Sequence, residues 1–570
     1  MENIIIKQAK ANNLKDISIE IPINKYIAFV GKSGSGKSTL AVDVILAGYY
    51  KNNPNVKVPV KPALFKQKVA VTSQSVSLVK YFTGKDKTKF RELSIYEYCR
   101  NIAHLNLSQE DLCFIVHVLN IDTVKLDSDI STMSLTMYNK IRFIKLLINS
   151  DAKLLIIDEL CAGMIFDEAK SIAQIYSFLV SKGFTVIAIE HSLPVIKAAE
   201  YIVELGPGAG RNGGQVVFND DISLYKNTLS WKTFIDSYKQ ISDMSQGSKR
   251  NLKLPAINHN NLNVCNLNIP LDGIVAICGG MASGKSSLLE ILFRAVDKSV
   301  DAWKNRQGID GEVAGKNYIR RPYIIDQTPI GENSMSTPAT YTGIMNTLRE
   351  MVFSSESNQS AKMNKSDFSY NSTGKCSHCG GKGYFNCKID GEDVFAPCEK
   401  CKGLRYDNKV NGVSMYGHNI GQFLALSCEE AYILLDENKV NNSIKQKLGF
   451  LKSVGLSYLC LGQPSGTLSG GESQRIKITK ELAKKLGDRC LFLLDCPSKG
   501  LFVTDLYDVM NMLKMLVSKN NSIVIVDNNP LFIQNSDWII YLDSGKPVFQ
   551  GKPKDMPINI KARLGIGVEI

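Results

Sequence analysis

The residues best suited to chemistry form two copies of one motif, a glycine-rich loop that ends in lysine and serine. The copies read GKSGSGKS at 31–38 and GGMASGKS at 279–286. Glycines let backbone N–H groups surround phosphate oxygens, while the lysine reaches the β- and γ-phosphates and the serine hydroxyl binds Mg²⁺. These two loops predict that the chain binds ATP and Mg²⁺. The candidate nucleotide-binding residues are Gly31, Ser33, Gly34, Gly36, Lys37, Ser38, Gly279, Gly284, Lys285 and Ser286.

Two apolar segments of the first half end in polar residues that suit a phosphate site. KLLIIDEL at 153–160 ends in Asp158 and Glu159, and TVIAIEHSL at 185–193 reaches His191. We predict that Asp158 binds Mg²⁺ through water and that Glu159 orients the attacking water. His191 is then placed to sense the γ-phosphate. The alternative for each residue is simple termination of a buried strand.

Two glutamines follow apolar segments in the same way. VAVTSQ at 69–74 ends at Gln74, and YIIDQTPIG at 323–331 contains Gln327. Their place in the order of motifs predicts that both glutamines lie at the nucleotide sites. Termination of a strand is again the alternative.

The elements that must position these residues occur twice. Residues 12–41 and 260–289 align without a gap at an offset of 248, with 12 identities in 30 positions. Each copy runs from a strand-like segment through the glycine-rich loop into a helix, which predicts a duplicated α/β ATPase domain. The stretch 245–256 has a polar start and contains Pro255, as expected of a linker.

A third phosphate-binding helix N-terminus is predicted near the end of the chain. TLSGGESQRIKITK at 467–480 places Ser469, Gly470 and Gly471 before a helix. This string resembles the signature of ATP-binding cassette (ABC) ATPases. In that family two cassettes meet head to tail, so each nucleotide lies between the P-loop of one and the signature of the other.

Four of the fourteen cysteines form two CxxC pairs. Cys376 and Cys379 precede Cys398 and Cys401, with 18 residues between the pairs. This spacing predicts a closed, structural Cys₄ site for Zn²⁺. The alternative is coincidence among many cysteines. His378 lies inside the first pair, where we expect a surface residue rather than a ligand.

The insertion of a zinc module between the P-loop and the signature resembles the arrangement in the UvrA family. UvrA is the DNA-damage-sensing subunit of bacterial excision repair. Further strings match that family at 12–22, 204–217, 336–350 and 460–477. The resemblance implies two ABC ATPase halves, zinc, homodimerisation, and binding of double-stranded DNA through a basic surface. The net charge of +13 agrees with a polyanionic partner.

The two halves differ at residues that matter for hydrolysis. The first signature position reads TMSLTMYNKIRFIK at 132–145, without the two glycines. In the second half Asp495 is kept, but Cys496 replaces the catalytic Glu and Asn528 replaces His. In the head-to-tail arrangement all these losses fall in one composite site. We therefore expect the first site to hydrolyse ATP, and the second, with Lys285, to bind it with little hydrolysis.

The first half is also short. Only 95 residues separate Ser38 from Ser134, against 182 between Ser286 and Ser469. UvrA proteins carry a zinc module, the UvrB-binding domain and a DNA-clamping domain in that place. The 95 residues between Ser38 and Ser134 are too few for these domains, so we do not expect the chain to recruit UvrB as those proteins do.

The predicted fold class is α/β, with two ABC-type P-loop ATPase halves in tandem. The first half spans 1–243, with a helical signature subdomain at about 91–150. A linker at 244–256 leads to the second half at 257–570, which carries the inserted zinc module and signature at about 350–475.

Two basic clusters are candidate DNA contacts, although a solvated lysine-rich loop is an equal alternative for the first. The first cluster comprises Lys57, Lys61, Lys66, Lys68, Lys80, Lys85, Lys87, Lys89 and Arg91. The second surrounds the zinc module and comprises Lys375, Lys382, Lys388, Lys400, Lys402 and Arg405.

The leading functional prediction is a cytoplasmic, UvrA-like DNA-binding ATPase that recognises DNA damage in nucleotide excision repair. One alternative is a related protection protein that dislodges a DNA-bound drug without incision. Alternatives of another class are the ATPase subunit of a transporter and a ribosome-associated ABC ATPase. The zinc module argues against both, and no segment of the sequence reaches the ~20 apolar residues that span a membrane.

Overall fold

The computed structural model describes residues 3–67, 75–84, 90–102, 106–239, 250–297, 308–326, 330–331, 335–389, 392–440, 443–468, 470–483 and 489–567. The chain forms two compact units. The first contains Met1–Ile324 and Arg489–Ile570, and the second contains Ile325–Asp488. The two predicted halves were defined by the sequence repeat, whereas these two units are defined by compactness, so their boundaries differ.

The described strands, in chain order, are β1 Asn3–Ala9, β2 Ile17–Pro22, β3 Tyr26–Val30, β4 Val56–Lys57, β5 Pro62–Lys66, β6 Leu154–Asp158, β7 Thr185–Ile189, β8 Tyr201–Gly206, β9 Gln215–Asp221, β10 Asn251–His259, β11 Leu262–Pro270, β12 Ile274–Gly279, β13 Ile309–Asp310, β14 Arg321–Ile325, β15 Tyr384–Ile389, β16 Glu392–Pro397, β17 Ser414–Met415, β18 His418–Asn419, β19 Cys490–Asp495, β20 Ser522–Val526, β21 Trp538–Asp543 and β22 Lys546–Gly551.

The described α-helices, in chain order, are α1 Ala47–Tyr50, α2 Leu78–Thr83, α3 Ile95–Asn101, α4 Gln109–Val118, α5 Leu135–Asn149, α6 Phe166–Ser181, α7 Leu193–Ala198, α8 Ile222–Tyr225, α9 Leu229–Lys239, α10 Lys285–Val296, α11 Pro338–Tyr341, α12 Ile344–Phe353, α13 Glu356–Ala361, α14 Asn408–Asn411, α15 Ile420–Ala425, α16 Cys428–Glu437, α17 Ser443–Ser453, α18 Gly470–Ala483, α19 Val503–Val517, α20 Pro530–Gln534 and α21 Ile558–Leu564. A π-helical turn, Thr39–Leu46, leads into α1.

Both halves build a six-stranded sheet with the same strand order. The order is β5-β6-β7-β3-β8-β9 in the first half and β14-β19-β20-β12-β21-β22 in the second. Every residue of β3, β6 and β7 is buried, as expected when helices cover both faces of a parallel sheet. The predicted tandem α/β fold is therefore confirmed, and both P-loops follow the fourth strand of their sheets.

A helical subdomain lies between β5 and β6 of the first half. The segment predicted to be helical contains α3 and α4, which begin at the capping boxes of Ser94 and Ser108. α5 follows and begins after Ser134, which caps it. This subdomain packs through buried apolar side chains onto the same core as the first sheet.

The predicted linker at 244–256 needs correction in its second part. Residues 240–249 lie outside the described chain, but β10 already begins at Asn251. It forms an antiparallel ladder with β11 from Asn251 opposite Pro270 to His259 opposite Leu262. Alternating buried side chains in this segment favour the strand over a flexible connection.

The two halves are interlocked inside the first unit. Phe502 and Val503 of the second half belong to the apolar core of the first half, beside Phe234. Conversely, Ile165 of the first half packs into an apolar cluster of the second half that includes Cys278. Each half therefore completes the core of the other, which fixes the P-loops of the two halves in one body.

The second unit contains the hairpins β15–β16 and β17–β18 and the helices α11 to α18. The four cysteines of the predicted zinc site flank the first hairpin. Over the described ranges of both units, none of the helices has the length and apolar character needed to cross a bilayer.

Candidate nucleotide-binding sites and zinc centre

The first P-loop joins β3 to the π-helical turn that begins at Thr39. The Lys37 ammonium is buried inside the loop and donates to the carbonyl oxygens of Gly31 at 2.7 Å and Lys32 at 2.8 Å. Burial lowers the pKa of Lys37 to about 8, against the opposing pull of nearby carboxylates, first among them Glu159. The loop therefore holds its cation at the place where the phosphates of a nucleotide are expected.

The second P-loop repeats this geometry before α10. Lys285 donates to the carbonyl oxygens of Gly279 and Gly280, both at 2.7 Å. The first glycine of each loop, Gly31 and Gly279, has a φ of +128° or +149°, and a Cβ there would lie 2.1 Å from a carbonyl oxygen of the neighbouring strand. Only glycine fits either position, so the loop shape accounts for both of them.

The two acidic residues of the first half lie at the end of β6. Asp158 is the last strand residue, and Glu159 turns away from it with a φ of +57°. Burial, together with the charge of Asp158, raises the pKa of Glu159 to about 7, while Lys499 of the second half opposes this rise. A largely buried carboxyl group with this pKa can accept a proton near neutral pH.

His191 completes this group. Its Nε2 atom lies 3.9 Å from Oε1 of Glu159. Burial and the charge of Lys37 keep the pKa of His191 well below its usual range, so the imidazole is neutral. Its Nδ1 atom is buried without a hydrogen-bond partner, which leaves one ring nitrogen available to a ligand.

The corresponding position of the second half has lost the acid. Cys496 follows Asp495 with the same left-handed backbone, at a φ of +49°, and its N–H donates to the carbonyl of Val526 at 2.7 Å. Burial and two neighbouring acids, Asp495 before Asp527, raise the pKa of the Cys496 thiol well above its usual range. The thiol is therefore uncharged and a poor base.

The two predicted glutamines, Gln74 and Gln327, lie outside the described residues. The structure nevertheless reveals a glutamine that the sequence did not single out. β5 pairs in parallel with β6, with Lys66 opposite Asp158. Gln67 follows directly and donates its backbone N–H to the carbonyl of Asp158 at 3.2 Å.

Matching contacts in the two halves show that Gln67 and Gln327 occupy corresponding sequence positions. Arg142 of α5, the helix after the first signature position, donates to the carbonyl of Lys66 at 2.7 Å. Lys477 of α18, the helix after the second signature, donates to the carbonyl of Asp326 at 3.2 Å. Since Lys66 and Asp326 correspond, so do the glutamines that follow them. The sequence signal was the apolar run PALF before Lys66.

The signature residues lie at helix starts, as their sequence predicts. Ser134 caps α5, and its Oγ accepts the N–H of Met137 at 3.2 Å. In the second unit, Gly470 and Gly471 open α18, whereas Ser469 lies outside the described residues. The role of these residues in nucleotide binding stays a prediction.

The four predicted zinc ligands come together in the second unit. The sulfurs of Cys376, Cys379, Cys398 and Cys401 all lie within 4.8 Å of one another, and all four residues are buried. The N–H of Gly383 points to the Cys379 sulfur at 3.2 Å. Four thiolates in this arrangement fit a single tetrahedral Zn²⁺ with sulfurs at about 2.3 Å.

His378 lies on the surface, as the sequence predicts, but it also contacts the cysteine cluster. Its Nδ1 atom is 3.3 Å from the sulfur of Cys398, and its ring packs edge-on against Phe385. This places His378 beside a ligand rather than among the ligands, where a ring N–H can stabilise a metal-bound thiolate.

Comparisons with known proteins agree with this geometry. The ABC transporter family model matches residues 14–162. UvrABC system protein A of Helicobacter pylori strain J99 is 34% identical over 422 residues, covering 71% of this chain and 44% of that protein. The protein of the same name from Aquifex aeolicus is 32% identical over 503 residues, covering 85% and 54%. The chain is a UvrA-like ABC ATPase.

This UvrA-like chain spans about half the length of those relatives. Its fold matches the crystal structure of UvrA2 from Deinococcus radiodurans with a TM-score of 0.83 at 19% identity, over 99% of each chain. At this identity the structural likeness establishes the shared fold, including the tandem halves.

One predicted DNA contact of the UvrA-like chain is wrong. Arg405 is only 1% exposed. Its guanidinium donates to the carbonyl oxygens of Gly462 at 3.0 Å and Gly381 at 3.4 Å and covers the ring of Tyr370 at 5.1 Å. The side chain therefore joins the zinc module to the loop before α18 and cannot face a partner.

Most of the other described basic residues of the two clusters are exposed. Around the zinc module four lysines are exposed, namely Lys375, Lys382, Lys400 and Lys402. In the first cluster Lys57, Lys61, Lys66, Lys80 and Arg91 are exposed. The remaining members of that cluster, Lys68, Lys85, Lys87 and Lys89, lie outside the described residues, and the side chain of Lys388 is not described. Both clusters of the UvrA-like chain keep several cations at the surface.

Proposed function

We propose that the chain hydrolyses ATP at its first P-loop. Lys37 and the backbone of the loop bind the phosphates, while Ser38 and Asp158 hold Mg²⁺, which neutralises charge on the phosphates. Glu159 takes the proton of the attacking water, and the neutral His191 contacts the terminal phosphate. Gln67, at the neighbouring strand end, supports the same site.

The observation that carries this proposal is the group formed by Glu159, His191 and Lys37. A carboxyl with a pKa of about 7 lies beside a neutral imidazole and a buried ammonium. The second half keeps Lys285 but offers Cys496 and Asn528 instead of the acid and the histidine. We therefore assign binding of ATP, without efficient hydrolysis, to the second P-loop.

We further propose that the chain binds double-stranded DNA and acts in recognition of DNA damage for excision repair. This rests on the relatives named UvrABC system protein A, the net charge of +13, and the exposed lysines around the zinc module. Homodimerisation and a cytoplasmic location belong to the same proposal. Zn²⁺ in the Cys₄ cluster holds the module in shape and takes no part in the chemistry.

The test is ATP hydrolysis by the full chain, measured without DNA, with intact duplex DNA and with damaged duplex DNA. We expect turnover that responds to DNA and more strongly to damaged DNA. Lys37→Ala should abolish turnover, whereas Lys285→Ala should retain part of it. Equal loss in both variants would contradict the assignment of hydrolysis to the first P-loop. Absence of DNA binding at low salt would contradict the proposed partner.

A further inference from the structure

A buried glutamate joins the loop after β6 to the end of β7 in the first half. Glu190 directly follows β7 and is only 2% exposed. Its Oε1 accepts the backbone N–H of Cys161 at 3.0 Å, and the N–H of Glu159 donates to the carbonyl of Ile189 at 3.0 Å. Cys161 lies two residues after Glu159, and His191 directly follows Glu190. These bonds therefore hold the loop of the proposed base against the segment that carries the histidine.

The second half builds the same connection with an aspartate. Asp527 directly follows β20, and its Oδ2 accepts the N–H of Ser498 at 2.9 Å. Ser498 lies two residues after Cys496, as Cys161 lies two residues after Glu159. The hydroxyl of Ser498 also donates to Oδ1 of Asp527 at 2.7 Å, where the first half has the thiol of Cys161, a weaker donor. The connection is thus part of the duplicated fold, but its chemistry differs between the halves.

The two acids differ in charge near neutral pH. Burial raises the pKa of Glu190 to about 8, against the hydrogen bond from the N–H of Cys161 and together with the charge of Glu159. Burial raises the pKa of Asp527 only to about 6, because the hydroxyl of Ser498 and several backbone N–H groups stabilise its charged form. At pH 7 the acid of the first half is therefore uncharged, and the acid of the second half is charged.

Glu190 lies beside the groups proposed for hydrolysis. Together with Cys161, Glu159 and His191 it lines one cavity. An ionised Glu190 would place a second negative charge next to Glu159. The titratable groups around Glu190 are Asp158, Glu159 and Cys161 at the end of β6, Lys140 of α5 beside Cys161, Tyr26 of β3, Tyr176 of α6 and, along the cavity, His191, Lys499 and Asp527.

We propose that Glu190 is a positioning residue for hydrolysis at the first P-loop, and that it acts as an uncharged carboxyl group. Its bond to Cys161 fixes Glu159 relative to His191 without adding a like charge beside the base. Asp527 makes the corresponding bond in the half that has lost the acid and the histidine, so that bond does not serve hydrolysis. The inference rests on the proposed function.

The first test compares two substitutions of Glu190 in the full chain, with ATP turnover and equilibrium ATP binding as readouts. Glu190→Ala should lower kcat about tenfold or more through misplacement of Glu159, with ATP binding retained. Glu190→Gln keeps an acceptor oxygen without charge and should restore most of that loss. Asp527→Ala, the matched change in the second half, should lower kcat less than Glu190→Ala. The proposal is overturned if the glutamine variant is as slow as the alanine variant, or if Asp527→Ala costs as much.

The charge of Glu190 is tested without hydrolysis. In the unfolded chain its pKa has the ordinary value of 4.5, whereas in the folded chain it is about 8. The wild-type chain should therefore lose stability relative to Glu190→Gln as the pH rises between these values. The difference between the two midpoints of thermal unfolding should widen from about pH 5 to about pH 8 and stay constant above that. A difference that does not change with pH shows a charged Glu190 and overturns the proposal.

The serine of the second half suggests a further variant. Cys161→Ser places a hydroxyl beside Glu190, which should favour its charged form as Ser498 does for Asp527. The loss of stability with rising pH should then end at lower pH, and this effect should vanish in the Glu190→Gln background. Cys161→Ala supplies no donor and should keep the wild-type pH dependence. The same pH dependence in the serine and alanine variants would refute the contact between the two side chains and overturn the proposal.

These measurements separate the inference from the proposed function. A wild-type chain without turnover would refute hydrolysis at the first P-loop, while the unfolding measurements would still decide the charge of Glu190 and its contact with Cys161. Turnover in the wild type without rescue by Glu190→Gln would refute the positioning role alone.

Discussion

The imidazole of His191 and the carboxyl group of Glu159 face each other across 3.9 Å, with side chains only 12% and 25% exposed. Burial shifts the pKa values of the two groups in opposite directions. It keeps the imidazole neutral and raises the pKa of the carboxyl to about 7. The pair in the corresponding places of the second half, Asn528 and Cys496, offers no such proton acceptor. The asymmetry of the two sites therefore lies in proton chemistry, since both P-loops have the same shape.

Replacing the proposed base tests this asymmetry most directly. Glu159→Gln keeps the size and hydrogen-bonding capacity of the side chain but cannot accept a proton. We expect ATP turnover to fall by about 10²–10⁴, with binding of ATP retained. Steady-state hydrolysis and an equilibrium binding assay measure the two effects separately.

Cys496 supplies the matched control, because it occupies the corresponding position of the second half. Cys496→Ser should change turnover less than about twofold, since its thiol is already uncharged and outside the proposed chemistry. Near-normal turnover in Glu159→Gln, or a large loss in Cys496→Ser, would show that the sites have been assigned the wrong way round.

The pH dependence of turnover should report Glu159. A base works in its ionised form, so turnover should rise with pH up to about 7. Above about 8 it should fall again, because Lys37 then loses its charge. His191 should not add a second step in this range, because burial keeps its pKa far lower. A profile of kcat between pH 5.5 and 9 measures this, and the residual activity of Glu159→Gln should lack the step.

Lys499 provides a variant with a predicted shift of that profile. Its ammonium comes from the second half, is 8% exposed, and lowers the pKa of Glu159. Lys499→Met should therefore move the acid limb to higher pH. The exposed Lys519→Met serves as control and should leave the limb in place. A limb that moves to lower pH, or not at all, would refute this electrostatic role.

Gln67 should matter more for turnover than the glutamine suggested by the sequence. It follows the strand that pairs with β6 and binds the carbonyl of Asp158 through its backbone. Gln67→Ala should lower turnover about 10–100-fold through misplacement of reacting groups, and Gln74→Ala should have a smaller effect. Hydrolysis assays on both variants decide the matter, and the opposite ranking would restore Gln74 as the site residue.

The cysteine cluster should hold one zinc ion per chain. Elemental analysis of the purified chain should find this metal, and the double variant Cys376→Ser, Cys398→Ser should lack it. Loss of zinc should unfold the module around β15 and β16, which a fall in the midpoint of thermal unfolding would show. Cys460→Ser should retain the full metal content. Zinc retained in the double variant would exclude this site.

Charge around the zinc module should govern affinity for DNA. Replacing the exposed residues Lys375, Lys382 and Lys402 by Glu should weaken binding to duplex DNA of any sequence. It should also reduce the slope of log affinity against log salt, by about one unit for each DNA phosphate that is no longer neutralised. Fluorescence anisotropy at several salt concentrations measures both quantities.

Arg405 separates this effect from a structural one. Because its guanidinium is buried against carbonyl oxygens, Arg405→Ala should lower the stability of the second unit rather than the salt dependence of DNA binding. A triple lysine variant that keeps wild-type affinity and slope would remove the zinc module from the proposed DNA surface.

Local motifs predicted the main candidate sites of the chain. The two P-loops, the acidic residues after the strand at 153–160 and the CxxC pairs can each be read from neighbouring residues, because their chemistry needs fixed spacing along the chain. The duplication predicted two similar sheets, and the strand order of both sheets agrees.

The sequence misplaced Arg405 and did not single out Gln67, because the place of each residue depends on distant partners. Arg405 lies among surface lysines in sequence, yet the structure buries it, because carbonyl oxygens of Gly381 and Gly462 converge on its guanidinium. Gln67 was overlooked for a similar reason. An apolar run before a glutamine occurs more than once, and only the tertiary structure shows that the run before Gln67 pairs with β6.

By itself the sequence determined the fold class, the two P-loops, the four cysteines and the loss of the acid at Cys496. These features depend on residue type and on spacing within short segments. Only the tertiary structure decided which groups act across the halves, as Lys499 does on Glu159. Such contacts join residues more than a hundred positions apart, and their strength follows from burial and orientation, which no local pattern records.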